Sequence, residues 1–286
     1  MYDSLSRREE IQQIHREYGN FYRLLGGATL VFVGVLLGAM LFSGNSALIP
    51  DDYLTNLYTE GVSVVLTIAV LNTLAERRDR LRRREEIREQ LLRDAGSTVN
   101  VTARTAIDEI RARQWLAGDD ALLRNADLRG ANLENVDLRH ADLRGVDFQR
   151  SNLKGARLRY TQLDGSDFRR ARMHSTNLIE VDLRGALLRL AQMPSIRLGS
   201  ADLSGLDLSH CDLSNALMTN TRLNDTRLFE TNLRGADLRN ADLTGAFLQR
   251  AQMDDVICDL RTILPDGTGW SSETDWTAFD ALIEGA

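Results

Sequence analysis

From Ala121 to Leu260 the sequence repeats every five residues, and that period restricts the fold more than any other feature of the chain. ADLRG at 126, ANLEN at 131, ADLRG at 141, VDLRG at 181, ADLSG at 201 and ADLTG at 241 keep one register through 28 pentapeptides. The third position is Leu almost throughout. Its exceptions, Phe148, Phe168, Met173, Met193, Met218, Met253 and Cys258, are all apolar. The first position is mostly small, and the second, fourth and fifth are mainly polar, with Gly or Asn frequent at the fifth. A period of five is neither the 3.6 of an amphipathic helix nor the 2 of a strand. A chain that turns a corner every five residues accounts for it. Third-position side chains would stack inside, first-position ones would fill the inner corners, and Gly or Asn would suit turns that need φ > 0.

The A(D/N)LXX array resembles the pentapeptide-repeat family over about half the chain. That resemblance implies a mainly β fold, a right-handed quadrilateral β-helix in which four pentapeptides make one coil. Twenty-eight repeats then give seven coils, a rod roughly 30 Å long at ~4.8 Å per coil. Solenoid ends expose unpaired backbone and need caps. Residues 97–120 are expected to cap the first coil, through a helix over 100–116 with Ala103, Ala106, Ile107 and Ile110 on one side. Residues 261–286 are expected to cap the other end, through the PDG turn and then Trp270, Trp276, Phe279 and Leu282. The resemblance implies that proteins of this kind can dimerise through this end, so the cap is also a candidate homodimer contact.

Residues 1–96 read as a membrane anchor. Leu24 to Ser43 is twenty residues without a charge, which covers roughly 30 Å as a helix. A signal peptide would have a shorter apolar region and a small-residue cleavage site. A second span is expected over about 57–76, with Glu60 at the outer interface. Arg7, Arg8, Arg16 and Arg23 precede the first span, and Arg77 to Arg84 follow the second. The 44–58 loop between them has no Lys or Arg. The positive-inside rule then puts both termini and the repeats in the cytoplasm of a multi-pass protein of the cell membrane. Two spans followed by a charged helix and repeats also resemble bacterial membrane members of the family. Gly34 and Gly38, with Gly27 seven residues earlier, are candidates for a close helix–helix contact, within the hairpin or between copies. Ser6 and Glu9 have capping-box spacing ahead of Ile11, Ile14, Tyr18 and Phe21, which predicts an amphipathic helix. The arginine run after the second span, ending near Gly96, could meet lipid headgroups or serve only as an orientation signal.

No motif for chemistry emerges. The four histidines (His15, His140, His174 and His210) have no metal-site spacing, and Cys211 and Cys258 fall at inward positions. There is no phosphate loop or nucleophile elbow. We therefore expect no enzyme, cofactor or metal, and a membrane-tethered scaffold for a protein partner. Two alternatives are a regulatory subunit of a transporter or channel, and the DNA-mimicking gyrase binder that the resemblance brings in. Mimicry needs acidic faces, and residues 121–260 hold 19 Asp+Glu against 19 Lys+Arg; no nucleic acid is expected to bind. One face, over the repeats centred on Leu128, Phe148, Phe168, Leu188, Leu208, Leu228 and Leu248, joins outward apolar residues to arginines. Leu187, Leu190, Phe229 and Phe247, with Arg169, Arg189 and Arg227, are its candidate partner-binding residues.

Overall fold

The period of five becomes a ladder of period twenty. In this computed structural model, which describes residues 51–283, second-position residues pair in parallel with those twenty on: Asp127 with Asp147, Asp147 with Asp167, and so on to Asp237 with Ile257. Four pentapeptides thus complete one coil. Each rung is an isolated bridge rather than a strand, because a chain that turns every five residues leaves one residue per side to pair above and below. The first and third positions are buried from Ala131 to Met253, and the outward positions carry the polar residues. Phe148 and Phe168, both fully buried, stack with centroids 4.9 Å apart.

Each backbone N–H within a repeat has a distinct destination. The first-position N–H closes a turn onto the third-position carbonyl before it, as Ala131 does onto Leu128. The second donates to the preceding coil (Asp147 to the Ala126 carbonyl); the third and fifth donate to the next (Leu128 to Asp147, Gly130 to Gln149). Where the second position is Asp or Asn, the fourth is served by that side chain. All fifteen second-position Asp or Asn residues between 127 and 242 accept the N–H two residues on, as Asp127 accepts that of Arg129 at 3.1 Å. Where Gln192 stands at the second position the fourth is Pro194, which has no N–H and suits this place in a turn.

All twenty-seven fifth positions from Asn125 to Asp255 have positive φ, between 53° and 72°. Eight are Gly and five Asn; Leu190 and Tyr160 adopt the same conformation, at about 1–2 kcal/mol for a non-glycine residue. Gly145, at φ +68°, leaves room for Asn125 Oδ1, which would lie 2.2 Å from a Cβ there and would have to shift.

The chain divides into two units, Met1–Glu85 and Glu86–Ala286. Helix α1, Asp51–Ala95, runs through the boundary. It starts inside the segment expected to be loop, since Pro50 and two first-turn aspartates favour a helix start there. In the first unit Val64, Leu66, Ile68, Val70, Leu71 and Leu74 are each about half exposed. Among the described residues, α1 is the one helix long and apolar enough to cross a membrane by length and composition. The first span, its glycines Gly27, Gly34 and Gly38, and the amphipathic segment ahead of it lie outside the described residues.

In the second unit α1 ends at Ala95 without a left-handed cap. A Cβ at Gly96 would stand 3.4 Å from the Asp127 carbonyl, in ordinary van der Waals contact. Helix α2, Asn100–Ala112, is shorter than expected; its chain breaks at Gln114, φ 61°. Ala103, Ala106, Ile107 and Ile110 are buried on one face. The open edge of the first coil is met by Ser97 and Leu116 carbonyls, which accept from Asn132 and Asp142. Side chains replace the missing rung: Asn100 Nδ2 donates to the carbonyls of Asn132 and Glu134, each at 3.1 Å, and the Arg111 guanidinium to that of Asp137.

At the far end the register departs from the uninterrupted repeat read to residue 260. Asp242 pairs with Ile263, twenty-one residues on, and Gln252 with Leu282. Asp259 accepts from the Asn240 and Arg261 N–H groups, which turns the chain out of step and leaves Cys258 only partly buried. The tail therefore supplies rungs as well as a lid. Its PDG turn carries Gly267 at φ 82°, next to an antiparallel bridge between Ile263 and Gly269. The short 3₁₀ helix Trp276–Phe279 buries Trp276.

Candidate interaction surface

Reactive groups of the solenoid are largely committed to its architecture. Thr176, Thr226 and Thr231 donate across the inner corner to third-position carbonyls of the preceding coil, at 2.8, 3.1 and 2.9 Å. Cys211 does the same, its thiol 3.0 Å from the Leu188 carbonyl, and burial pushes that thiol up to about 12. Cys258 is likewise raised to about 12 by desolvation. A thiol held neutral in this way is a poor nucleophile. No group of His, Cys, Asp and Glu suited to a metal occurs among the described residues.

The second-position aspartates are turn caps that also neutralise arginine. In Asp-Leu-Arg repeats the carboxylate grips the guanidinium two residues on: Asp127 with Arg129 and Asp182 with Arg184, at 2.6 and 2.7 Å. These guanidiniums hold the carboxyls below the usual range, Asp137 at about 2 through Arg139, and Asp142 through Arg144 and Arg124. This D-x-R spacing is visible in the sequence and marks Arg129, Arg139, Arg144, Arg169, Arg184 and Arg239 as ion-paired.

The face singled out from sequence exists, but its members do not form one patch. Leu187, Leu190 and Phe247 are exposed at 47, 38 and 54%. Phe229 is partly buried, edge-on to His210 at 5.5 Å, so it offers a partner less than expected. Phe247 lies three coils from Leu187 along this face, about 14 Å at the inter-strand spacing. Between them His210, Glu230 and Arg250 form a chain of polar contacts of 3.1 and 2.9 Å. Arg169 is tied to Asp167 at 2.6 Å. Arg227 pairs with Asp207 in the ladder; burial acts to raise the Asp207 carboxyl, but the Ser209 hydrogen bonds together with Arg189 and Arg227 hold it below the usual carboxylate range. Arg150 and Arg170, which the sequence also places on this face, join Arg189 and Arg227 as its arginines without an ion-pair partner among the described residues, whereas Arg129, Arg169 and Arg250 each have one.

The family model described as pentapeptide repeats matches residues 119–155, 151–189, 196–235 and 221–257. Among solved structures, HetL, a pentapeptide repeat protein involved in heterocyst differentiation regulation from the cyanobacterium Nostoc sp. PCC 7120, is 26% identical. The match covers 51% of this chain and 82% of that one, with a TM-score of 0.29. A trypsin-treated form of QnrB1, a plasmid-mediated fluoroquinolone resistance protein, is 19% identical over 48% and 84% of the two chains, with a TM-score of 0.25. A pentapeptide repeat protein of the Arabidopsis thaliana thylakoid lumen is 25% identical over 42% and 66%, with a TM-score of 0.18. No curated protein matches the chain.

Proposed function

We propose that this chain, a member of the pentapeptide-repeat family through its solenoid, is a membrane-tethered, non-enzymatic module that presents its outer faces to a protein partner in the cytoplasm. One observation carries the reading. Second-position carboxylates cap turns, and hydroxyls and the Cys211 thiol close corners, so the uncommitted groups are exposed apolar and arginine side chains on an outer face. Such mixtures are enriched at interfaces. Two features of α1 support the tether. Its apolar stretch is exposed, and the Thr67 and Thr73 hydroxyls are satisfied within the helix, donating to the Ser63 and Ala69 carbonyls at 2.8 and 2.7 Å, as a hydrocarbon surround demands. The arginines after that stretch favour the cytoplasmic side.

The test is purification of the full chain from carbonate-washed membranes in mild detergent, beside a variant carrying Leu187→Ser and Phe247→Ser. A protein set held by the wild type and depleted from the variant is the expected result. A transporter or channel in that set selects the regulatory alternative, and a topoisomerase the mimic. Release of the chain by carbonate contradicts the tether, and identical protein sets contradict the face.

A further inference from the structure

The pentapeptide Ala186–Leu190 breaks the repeat's local rules twice on the face just described. Its second position is Leu187 where Asp127, Asp147, Asp167 and Asp207 stand in the same column. The Arg189 N–H therefore lacks its side-chain acceptor, and the Arg189 guanidinium lacks the carboxylate that holds Arg129 and Arg169. Its fifth position is Leu190 at φ 65°, where Gly or Asn would be less strained. Among the described residues the ladder on this face is interrupted at this place, between Leu187 and Asp207.

Stacked on the same column as Leu190, at intervals of twenty, are Arg150 and Arg170, both exposed. Neither they nor Arg189 has a carboxylate at ion-pair distance among the described residues, whereas Arg129, Arg169 and Arg250 each have one. Three guanidiniums outside ion-pair distance of any described carboxylate thus border two exposed leucines over about three coils, on the order of 10–15 Å.

We propose that Arg150, Arg170 and Arg189, with Leu187 and Leu190, form a docking site for an acidic peptide segment bearing apolar side chains. The inference rests on the interaction-module reading and names the partner's chemistry. Charge complementarity selects acidity, and guanidinium forks suit carboxylates. An anionic bilayer fits less well, since the carboxylates of Asp147, Asp167 and Asp207 interleave with the arginines and would face it. A peptide can place its acids between them.

A random-peptide phage library selected on the full chain in detergent tests this. Peptides rich in Asp or Glu together with Leu or Phe are the expected yield. Binding of the synthesised, fluorescein-labelled winner should fall about tenfold with Arg150→Glu, Arg170→Glu and Arg189→Glu combined. A selection on that triple variant should turn to basic peptides. Leu190→Gly, which suits the backbone, should also weaken binding about tenfold without lowering the melting temperature. No acidic yield, or one indifferent to these changes, overturns the proposal. So does arginine-dependent binding to phosphatidylcholine–phosphatidylglycerol vesicles in place of peptide, or arginine-dependent self-association. If peptides fail while membrane co-purification still depends on Leu187 and Phe247, the broader module reading survives alone.

Discussion

Replacing Phe168 with Ala is expected to destabilise the solenoid by about 3–5 kcal/mol, from lost apolar transfer and the cavity left behind. The ring is fully buried and stacks on Phe148, in a column otherwise held by Leu128, Leu188, Leu208, Leu228 and Leu248. A coil touches only its neighbours, so the collapse that could heal the cavity must come from the coils above and below. Phe168→Leu, the residue most third positions use, should cost less than about 1.5 kcal/mol. Denaturant titration followed by tryptophan fluorescence checks both. Trp115 reports on one end and Trp270 with Trp276 on the other, so a weakened middle should also separate the two transitions. Equal midpoints for Phe168→Ala and wild type would show that the ring is not part of a packed spine.

The second large effect is at the cap. Trp276→Ala is expected to cost about 3–5 kcal/mol, because Trp276 is buried in the core cluster that also contains Leu248 and Met253. Loss of this lid should expose the last coil's backbone, a template for pairing with another chain. The variant should therefore melt lower and form concentration-dependent oligomers in detergent, seen by light scattering. An unchanged melting temperature would mean that the bridge from Gln252 to Leu282 suffices as a cap.

What the sequence disclosed is what it repeats. The inward third and first positions, Cys211 as a corner filler, and the capping roles of Ile107, Ile110 and Trp276 follow from period and composition, and the structure has them there. Features that occur once depend on contacts between distant residues, and no period signals them. Asn100 and Arg111 imitate a missing coil. Asp259 throws the register off by one, and the tail then supplies rungs. At the candidate surface the exposed leucines were legible from their outward positions. Phe229 was misjudged because its tuck against His210, nineteen residues earlier, depends on stacking between coils. The arginines of this face were legible too, but Arg169 could not be told apart from Arg189 as a partner contact without treating its D-x-R spacing as an ion pair. The turn conformation overrides residue preference altogether: Leu190 and Tyr160 take φ > 0 because the coil's hydrogen bonds impose it.

The central claim is a rise of one inter-strand spacing for every twenty residues, and an electron–electron distance measures it. Spin labels at Arg150→Cys and Arg250→Cys, with Cys211 and Cys258 changed to Ser, sit on one column five coils apart. The stacked solenoid predicts a narrow distribution centred at about 24 Å. A broad distribution, or a mean near about twice that value, would contradict it.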